Sequence, residues 1–536
     1  MKRIINTVLV LATLSATGFA LNSCQDALDI TQPGELQPEE VFTSVSNLNE
    51  VLNGSIYGQL DPIDEIYFTA VFTDEVKPGS GSGGQEYDLH RFFLDPSTSV
   101  VGGGAVSTGT SDGIWLNNYR VINRINRLLE GAKSVTPAST VEQDTYNSIL
   151  AQARAIRAFC YVQLESYFST NMKDPNALGV IIVNGIPSTD AKLPRSKNQE
   201  VYDLINSDLD YARGILAYSN TAATRYTVGK TFVNALSARF NLYIGNTVLA
   251  KQYAQDVITN SGLSLTLANP IVTTAAPVID ASNATNPWAS AFYNTASSFN
   301  PYRNLWNDSA RGEIIFSLNR LPLGAGATIG SRWNTNQSTV SGVPMWFLGR
   351  NLFNIINNTP GDVRRYTYID PTSIINPNYE NIDSRNDRLV IDKYPGKTST
   401  ATRNDLKVFR LSEMYFILAE AEVAAGNLSV ANSLIQQVRA ARNYSGSAVT
   451  PAYSNAQSAY ADILKERRVE LALEGHRYID LKRLATVAGV TMDRNLKDDF
   501  ITLPSLNLAN DSHKYTLPIP VQETSANPNA QQNPGY

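Results

Sequence analysis

The sequence has few of the residues on which covalently braced and metal-stabilised folds depend. Its 536 residues include only two cysteines and three histidines. Two cysteines cannot build a disulfide framework, so stability has to come from a packed apolar core. The histidines, His90, His476 and His513, are far apart, and none has a second histidine at the spacing of a zinc site. The sequence therefore argues against a disulfide-rich scaffold and against a zinc enzyme.

An excess of positive charge is also missing. The formal net charge is −5 and the pI is near 5.5. A surface that neutralises phosphates needs a basic excess, so nucleic acid is not an expected partner. Outside residues 4–21 there is no long apolar run, which makes that stretch the candidate targeting segment.

Several motifs of phosphate binding and hydrolysis are absent as well. Residues 79–84 formally fit G-x-G-x-x-G, but Pro78 precedes them and no helical pattern follows, so we interpret them as a loop. Neither a G-x-S-x-G elbow nor an H-E-x-x-H pair occurs. We predict no catalytic residue and no cofactor. A glycosidase needs only two well-placed carboxylates, so that class stays open.

The first 24 residues have the pattern of an export signal that ends at a cysteine. Lys2 and Arg3 precede the apolar run at 4–21, and the small Ser23 stands directly before Cys24. This looks like a bacterial lipobox. We expect residues 1–23 to be a lipoprotein signal peptide and Cys24 to carry lipid; the alternative is a secreted protein with an unrelated cysteine. The polar residues 24–38 would be the tether of the anchor.

Apolar residues recur at helical spacing in several separate places. Residues 114–129 and 149–168 predict core helices, the second with Cys160 as a buried, inert thiol. Residues 231–260 and 411–442 predict two helix pairs, each of about the length of a tetratricopeptide repeat. Ordinary helical hairpins would give nearly the same pattern. Both readings make the protein mostly α-helical.

Between these pairs the composition changes. From about 262 to 404, Pro, Asn, Gly, Ser and Thr dominate, and short apolar pieces such as 313–318 could form strands. We expect one domain over 39–536, with a helical scaffold at 39–261 and 405–500 and a loop-rich insert at about 262–404 that adds minor β structure.

The last third contains three ordered motifs, at residues 411–421, at 466–483 and from 517 to the C-terminus. Together with Cys24 they closely resemble the SusD/RagB family of Bacteroidetes outer-membrane lipoproteins. The resemblance implies a mostly helical fold with four tetratricopeptide-like helix pairs. It also implies an exterior-facing, lipid-anchored protein that captures a nutrient, usually an oligosaccharide, and acts as the lid of a SusC-like TonB-dependent transporter.

The second motif holds Glu466, Glu470 and Glu474 among several arginines. Opposite charges three or four residues apart on a helix favour ion pairing, and an acid/base pair is the alternative.

A sugar ring has an apolar face for an aromatic side chain and hydroxyl edges for polar groups. The predicted ligand contacts in the insert are Trp288, Tyr302, Trp306 and Trp333, with the polar Arg303, Asn304 and Asn334. A second patch, Asp74, Gln85 and Tyr87, is implied by the family resemblance. Any of these aromatics could instead be a core residue, as we expect for Trp115.

Three further alternatives accompany the glycan hypothesis. Some relatives capture peptides in the same role, an extracellular glycosidase would need only the abundant carboxylates, and an assembly lipoprotein would use its helical repeats to bind protein. Bound calcium is possible in this class, but no loop has the density of oxygen ligands that would support it.

Overall fold

The computed structural model describes residues 41–79, 87–96, 111–268, 301–321, 329–333, 344–370, 373–397, 400, 403–499, 503 and 505–536. The signal peptide, Cys24 and the tether lie outside these ranges, as do Gln85, Trp288 and Asn334. Within the ranges, no helix combines the length and the apolar character that a membrane crossing requires.

The described chain is mostly helical, as predicted. In chain order the helices are α1 (Val45–Val51), a π-helical turn (Leu52–Tyr57), α2 (Ile63–Phe72), α3 (Tyr87–His90), α4 (Ser111–Gly131), α5 (Thr140–Phe168), α6 (Asn198–Ile215), α7 (Lys230–Tyr243), α8 (Thr247–Asn260), α9 (Pro301–Trp306), α10 (Ile329–Trp333), α11 (Arg350–Asn357), α12 (Arg364–Thr367), α13 (Leu411–Ala424), α14 (Leu428–Ala441), α15 (Ala456–Glu470), α16 (Arg477–Ala488) and α17 (Val521–Ala526). Short 3₁₀ turns lie at Ala132–Ser134, Ala223–Tyr226, Tyr379–Asn381, Ser384–Asn386 and His513–Tyr515.

The two predicted helix pairs are confirmed as α7–α8 and α13–α14. Each pair turns at a glycine with positive φ, Gly245 at +84° and Gly426 at +81°. Glycine adopts this left-handed conformation without a steric penalty, so it ends the first helix and allows the second to fold back. The hydroxyl of Ser139 caps α5, the longest helix of the described chain, by accepting from the backbone N–H of Glu142.

Helices that follow one another in sequence also pack side by side. This holds from α4 through α8, and α8 then packs against α13, which continues the layer through α14, α15 and α16. The scaffold on both sides of the insert therefore forms one helical layer. Trp115 and Cys160 are buried in its core, as predicted.

Two small antiparallel sheets lie among the described residues. In the first, β1 (Val76–Pro78) pairs with β3 (Trp346–Leu348), with Lys77 opposite Phe347. In the second, β2 (Ile314–Leu318) pairs with β4 (Leu406–Arg410), which confirms a strand within 313–318. Both sheets join insert residues to scaffold residues, and they therefore fix the insert against the helices.

Candidate functional site

The charged residues of the 466–483 motif form a buried ion network, not a surface ladder. Glu470 pairs with Arg410 at 2.7 Å, with Arg442 at 2.8 Å and with Arg364 at 3.1 Å. These arginines come from β4, from the end of α14 and from α12. Ion pairing is therefore confirmed, but the partners we expected on the same helix are wrong for Glu470.

The neighbouring carboxylates extend the same network. Glu474 accepts from Arg410 and from Lys393, both at 2.7 Å, and Glu466 accepts from Arg364 and Arg439, both at 2.7 Å. Burial alone would raise the pKa of Glu470, but the guanidinium groups outweigh it and hold this pKa well below its usual range. These carboxylates are charged structural groups, which removes the support for an acid/base pair here.

The aromatic residues of α9 belong to this buried region. Tyr302 and Trp306 have no exposed surface. The hydroxyl of Tyr302 lies 3.1 Å from that of Tyr368, and the ammonium group of Lys393 lies 4.3 Å from the ring centre of Trp306. Their ring faces are covered by protein cations, so the structure contradicts their prediction as a sugar platform.

The polar neighbours on α9 are also internal. Arg303 is buried and pairs with Asp392 at 2.7 Å, and Asn304 is 7% exposed. The structure therefore places both side chains away from a ligand surface. The surrounding sequence, which mixes polar and aromatic residues, gave no sign of this burial.

Asp74 and Tyr87 of the second predicted patch are likewise structural. Asp74 pairs with Arg477 at 2.8 Å and with Arg468 at 3.3 Å. Burial opposes ionisation of Asp74, but these two guanidinium groups lower its pKa well below the usual range. Tyr87 is buried and donates to Asp499 at 3.0 Å. Neither side chain is available to a ligand in this conformation.

Trp333 packs against α2. Its ring centre lies 5.5 Å from that of Tyr67, and the side chain is fully buried. Tyr67 also accepts a 2.8 Å hydrogen bond from the indole N–H of Trp346. Trp333 thus anchors α10 to the scaffold, and its prediction as an exposed platform is contradicted.

Four polar residues around the start of α2 form a cluster, which we call the polar face: Asp61, Asp64, Asn117 and Arg332. Asp61 also pairs with Arg320, at 3.2 Å. The amide of Asn117 donates to Asp64 at 2.9 Å. The guanidinium of Arg332 lies over the ring of Tyr67, 5.0 Å from its centre, and its charge acts on Asp64. Asp61, Asn117 and Arg332 are half-buried, so their polar atoms remain partly accessible.

Burial controls the electrostatics of the polar face. It raises the pKa of Asp64 to about 6, against the opposing effect of Arg332. On the inner side of α2, burial raises the pKa of Glu65 to about 8, while Asn118 donates to Glu65 at 2.9 Å. At neutral pH these carboxyls are therefore closer to protonation than ordinary ones, and each can donate or accept a hydrogen bond.

The polar groups of this face are of the kinds that form hydrogen bonds with a neutral, hydroxyl-rich ligand. It offers carboxyl, amide and guanidinium groups around Asp64, whereas the neighbouring aromatic pair Tyr67 and Trp333 is buried. Among the described residues, no three His, Cys, Asp or Glu side chains are grouped so that they could hold a metal ion.

Sequence reasoning missed Asp61, Asp64, Asn117 and Arg332. The available signal was the acidic start of α2 beside Pro62, which resembles ordinary helix capping and gives no periodic pattern. Asn334, which we predicted as a contact, directly follows α10 in sequence, so the predicted region and the polar face are adjacent along the chain.

Two family models match separate parts of the chain. Residues 328–536 match the model of the SusD family, and residues 96–242 match a family model described as starch-binding associating with outer membrane. Two curated relatives from Formosa agariphila, SusD-like protein P38 and SusD-like protein P2, are 24% and 23% identical. Those alignments cover 92% and 96% of this chain, and 95% and 97% of the relatives.

Solved structures have the same fold. A SusD superfamily protein from Bacteroides thetaiotaomicron matches with a TM-score of 0.70 and 23% identity, over 92% of this chain and 100% of that protein. A SusD-like carbohydrate binding protein from Bacteroides vulgatus matches with a TM-score of 0.64 and 20% identity, over 91% and 97% of the two chains.

Proposed function

Because the chain belongs to the SusD/RagB family, we propose that it is an outer-membrane protein that captures carbohydrate for uptake and does not cleave it. The observation that carries this proposal is the pair of family matches, one of which is described as starch-binding and associated with the outer membrane. The lipid at Cys24 would hold the protein at the membrane, on its outer side. A SusC-like TonB-dependent transporter would receive the ligand, with this protein as its lid.

The polar face is the proposed ligand surface within the described chain. Its carboxyl, amide and guanidinium groups suit the hydroxyl edges of a sugar, and charge-assisted hydrogen bonds to hydroxyls are stronger than neutral ones. Trp288, Gln85 and Asn334 lie outside the described residues and remain predicted ligand contacts. Trp288 is the aromatic platform that we retain, since the rings of Tyr302, Trp306 and Trp333 are buried.

The direct test is calorimetric titration of the full chain with plant, fungal and host oligosaccharides and with a mixed peptide library. Saturable binding of one glycan class that is lost in Trp288→Ala supports the proposal. Binding to peptides alone would replace carbohydrate with peptide as the cargo. Release of shorter sugars on long incubation would contradict a pure binding role.

The transporter partnership needs a separate test. Affinity purification of the tagged full chain from native membranes should recover a large TonB-dependent transporter. The matched control is Cys24→Ala, which we expect to be released from the membrane and to recover less transporter. Recovery of other envelope proteins without any transporter would favour an assembly role instead.

A further inference from the structure

A groove with a volume of about 410 Å³ opens on the scaffold next to Val41. We call it the α1–α4 groove. Its lining includes Val41, Phe42, Val51, Arg124, Arg127 and Ile186. None of these residues belongs to the polar face, so the groove is a separate surface.

The floor of the groove is apolar and partly open to solvent. Ile186 exposes 46% of its surface. The ring of Phe42 lies against Gly131 so closely that a Cβ on this glycine would be 2.2 Å from the ring. The glycine therefore makes room for Phe42 to form one wall. Covering an exposed aliphatic side chain such as Ile186 is favourable by about 1.5–3 kcal/mol when burial is complete.

The rim of the groove carries two arginines and one glutamate, Glu130, whose carboxylate pairs with Lys133 at 2.7 Å. Arg124 and Arg127 lie one turn apart on α4. Arg124 donates to the backbone carbonyl of Ser55 at 3.0 Å, and Arg127 donates to the side chain of Asn123 at 2.9 Å. Within the described part of the chain, neither guanidinium pairs with a carboxylate. Ser55 belongs to the π-helical turn, a rare element that often occurs at functional sites.

The chain itself supplies a ligand of complementary character. Residues 24–40 contain five carboxylates, Asp26, Asp29, Glu35, Glu39 and Glu40, and neither lysine nor arginine. Leu36 is the apolar residue nearest to Val41 on that side. It lies five residues from Val41, so an extended chain can place it within about 17 Å of Val41. Because Val41 lines the groove, this segment is present there at a high effective concentration.

We propose that residues 35–40 of the same chain dock in the α1–α4 groove. Leu36 covers Ile186 and Val51, while Glu39 and Glu40 face Arg124 and Arg127. Solvent-exposed ion pairs contribute about 1 kcal/mol or less each, so docking is reversible. Docking shortens the free segment between Cys24 and the folded body. Its length falls from 17 residues, about 60 Å when extended, to 11 residues, about 40 Å. The groove would thereby set the reach of the tether.

A disulfide trap in the full chain tests this contact. The variant carries Cys24→Ser, Leu36→Cys and Ile186→Cys, and the remaining cysteine, Cys160, is buried. The matched control replaces Ile186→Cys by Val449→Cys, because Val449 is 78% exposed and does not line the groove. We expect the groove pair to form an intrachain disulfide at least tenfold faster than the control pair. Equal rates would overturn the proposal.

Charge-reversal variants test whether the proposed ion pairs speed formation of the groove disulfide. Arg124→Glu with Arg127→Glu should slow the groove disulfide, and adding Glu39→Lys with Glu40→Lys should restore the rate. High salt should slow it in the parent, because exposed charges are screened. A rate that rises with protein concentration would show docking between two copies and would overturn docking within one chain.

Hydrogen exchange gives a readout that does not depend on introduced cysteines. In the parent chain the amides of residues 35–40 should exchange more slowly than those of Leu36→Asp, whose carboxylate cannot cover the apolar floor. Identical exchange in the two proteins would overturn the proposal. Glycan binding is measured in the same samples, so failure of docking and failure of carbohydrate capture remain distinguishable.

Discussion

The ion network around Glu470 and the polar face around Asp64 use the same residue types in opposite ways. Glu470 is surrounded by guanidinium groups from three other elements and has no exposed surface. Asp64 and Glu65 accept hydrogen bonds from the neutral amides of Asn117 and Asn118. The pKa of Glu470 is lowered, whereas burial raises the pKa of Asp64 to about 6 and that of Glu65 to about 8.

The difference separates a scaffold element from the ligand surface that we propose. A carboxylate that is neutralised by fixed cations is locked in one protonation state and one geometry, and it ties distant segments together. A carboxyl that is held by amides keeps the capacity to exchange a proton or a hydrogen bond. The first arrangement suits the joint between insert and scaffold, and the second suits contact with hydroxyl groups.

The largest effect should come from breaking the ion network. Glu470→Gln leaves Arg410 and Arg442 buried with less negative charge, and we expect the free energy of unfolding to fall by about 3–5 kcal/mol. Urea denaturation followed by circular dichroism measures this change. The control is Asp210→Asn, whose side chain is 70% exposed and pairs with Arg213; it should cost within about 0.5 kcal/mol. Equal losses in the two variants would contradict the structural role of Glu470.

The helical scaffold could be predicted from the sequence because its signals are local. The period of apolar residues, together with Gly245 and Gly426, located α7–α8 and α13–α14 almost to the residue. The charged motif at 466–483 was recognisable, but its partners were not. Arg364, Arg410 and Arg442 reach Glu470 through tertiary packing, which no spacing rule contains.

The polar face was not predicted from the sequence, for a physical reason. Aromatic residues in a loop-rich segment can cover a sugar or fill a core, and the two cases have the same sequence pattern. The fold places all three rings in the core: Tyr302, Trp306 and Trp333. There the ammonium group of Lys393 lies over Trp306, and Tyr67 packs on Trp333. The side chains of the polar face meet across α2, α4 and α10, so their proximity exists only in the fold.

The pH dependence of the free energy of unfolding should distinguish the carboxyls that accept from amides from the carboxylates of the ion network. Burial raises the pKa of Glu65 to about 8, so the folded state retains a proton that the unfolded chain releases near its ordinary pKa. The contribution of Glu65 is therefore fully present at acidic pH. It is lost as the pH rises towards about 8, by up to about 1.4 kcal/mol for each pH unit.

Glu65→Gln should remove this slope. Its amide oxygen can still accept from Asn118, but the side chain does not ionise. Unfolding free energies of parent and variant, measured from pH 5 to pH 9, should converge in acid, and the variant should be the more stable at pH 8. Parallel profiles would show that Glu65 has an ordinary pKa.

The smallest effect on stability, and the most specific effect on binding, should come from Arg332→Ala. Arg332 is half-buried on the polar face, and its removal leaves the buried anchor Trp333 in place. We expect carbohydrate affinity to fall about tenfold, which corresponds to about 1.4 kcal/mol. Arg385→Ala is the matched control, since this arginine is 55% exposed and pairs locally with Asp383. If calorimetry finds the same affinity in both variants, the ligand does not bind at the polar face. The ion network and the polar face would then differ only in how their residues contribute to stability.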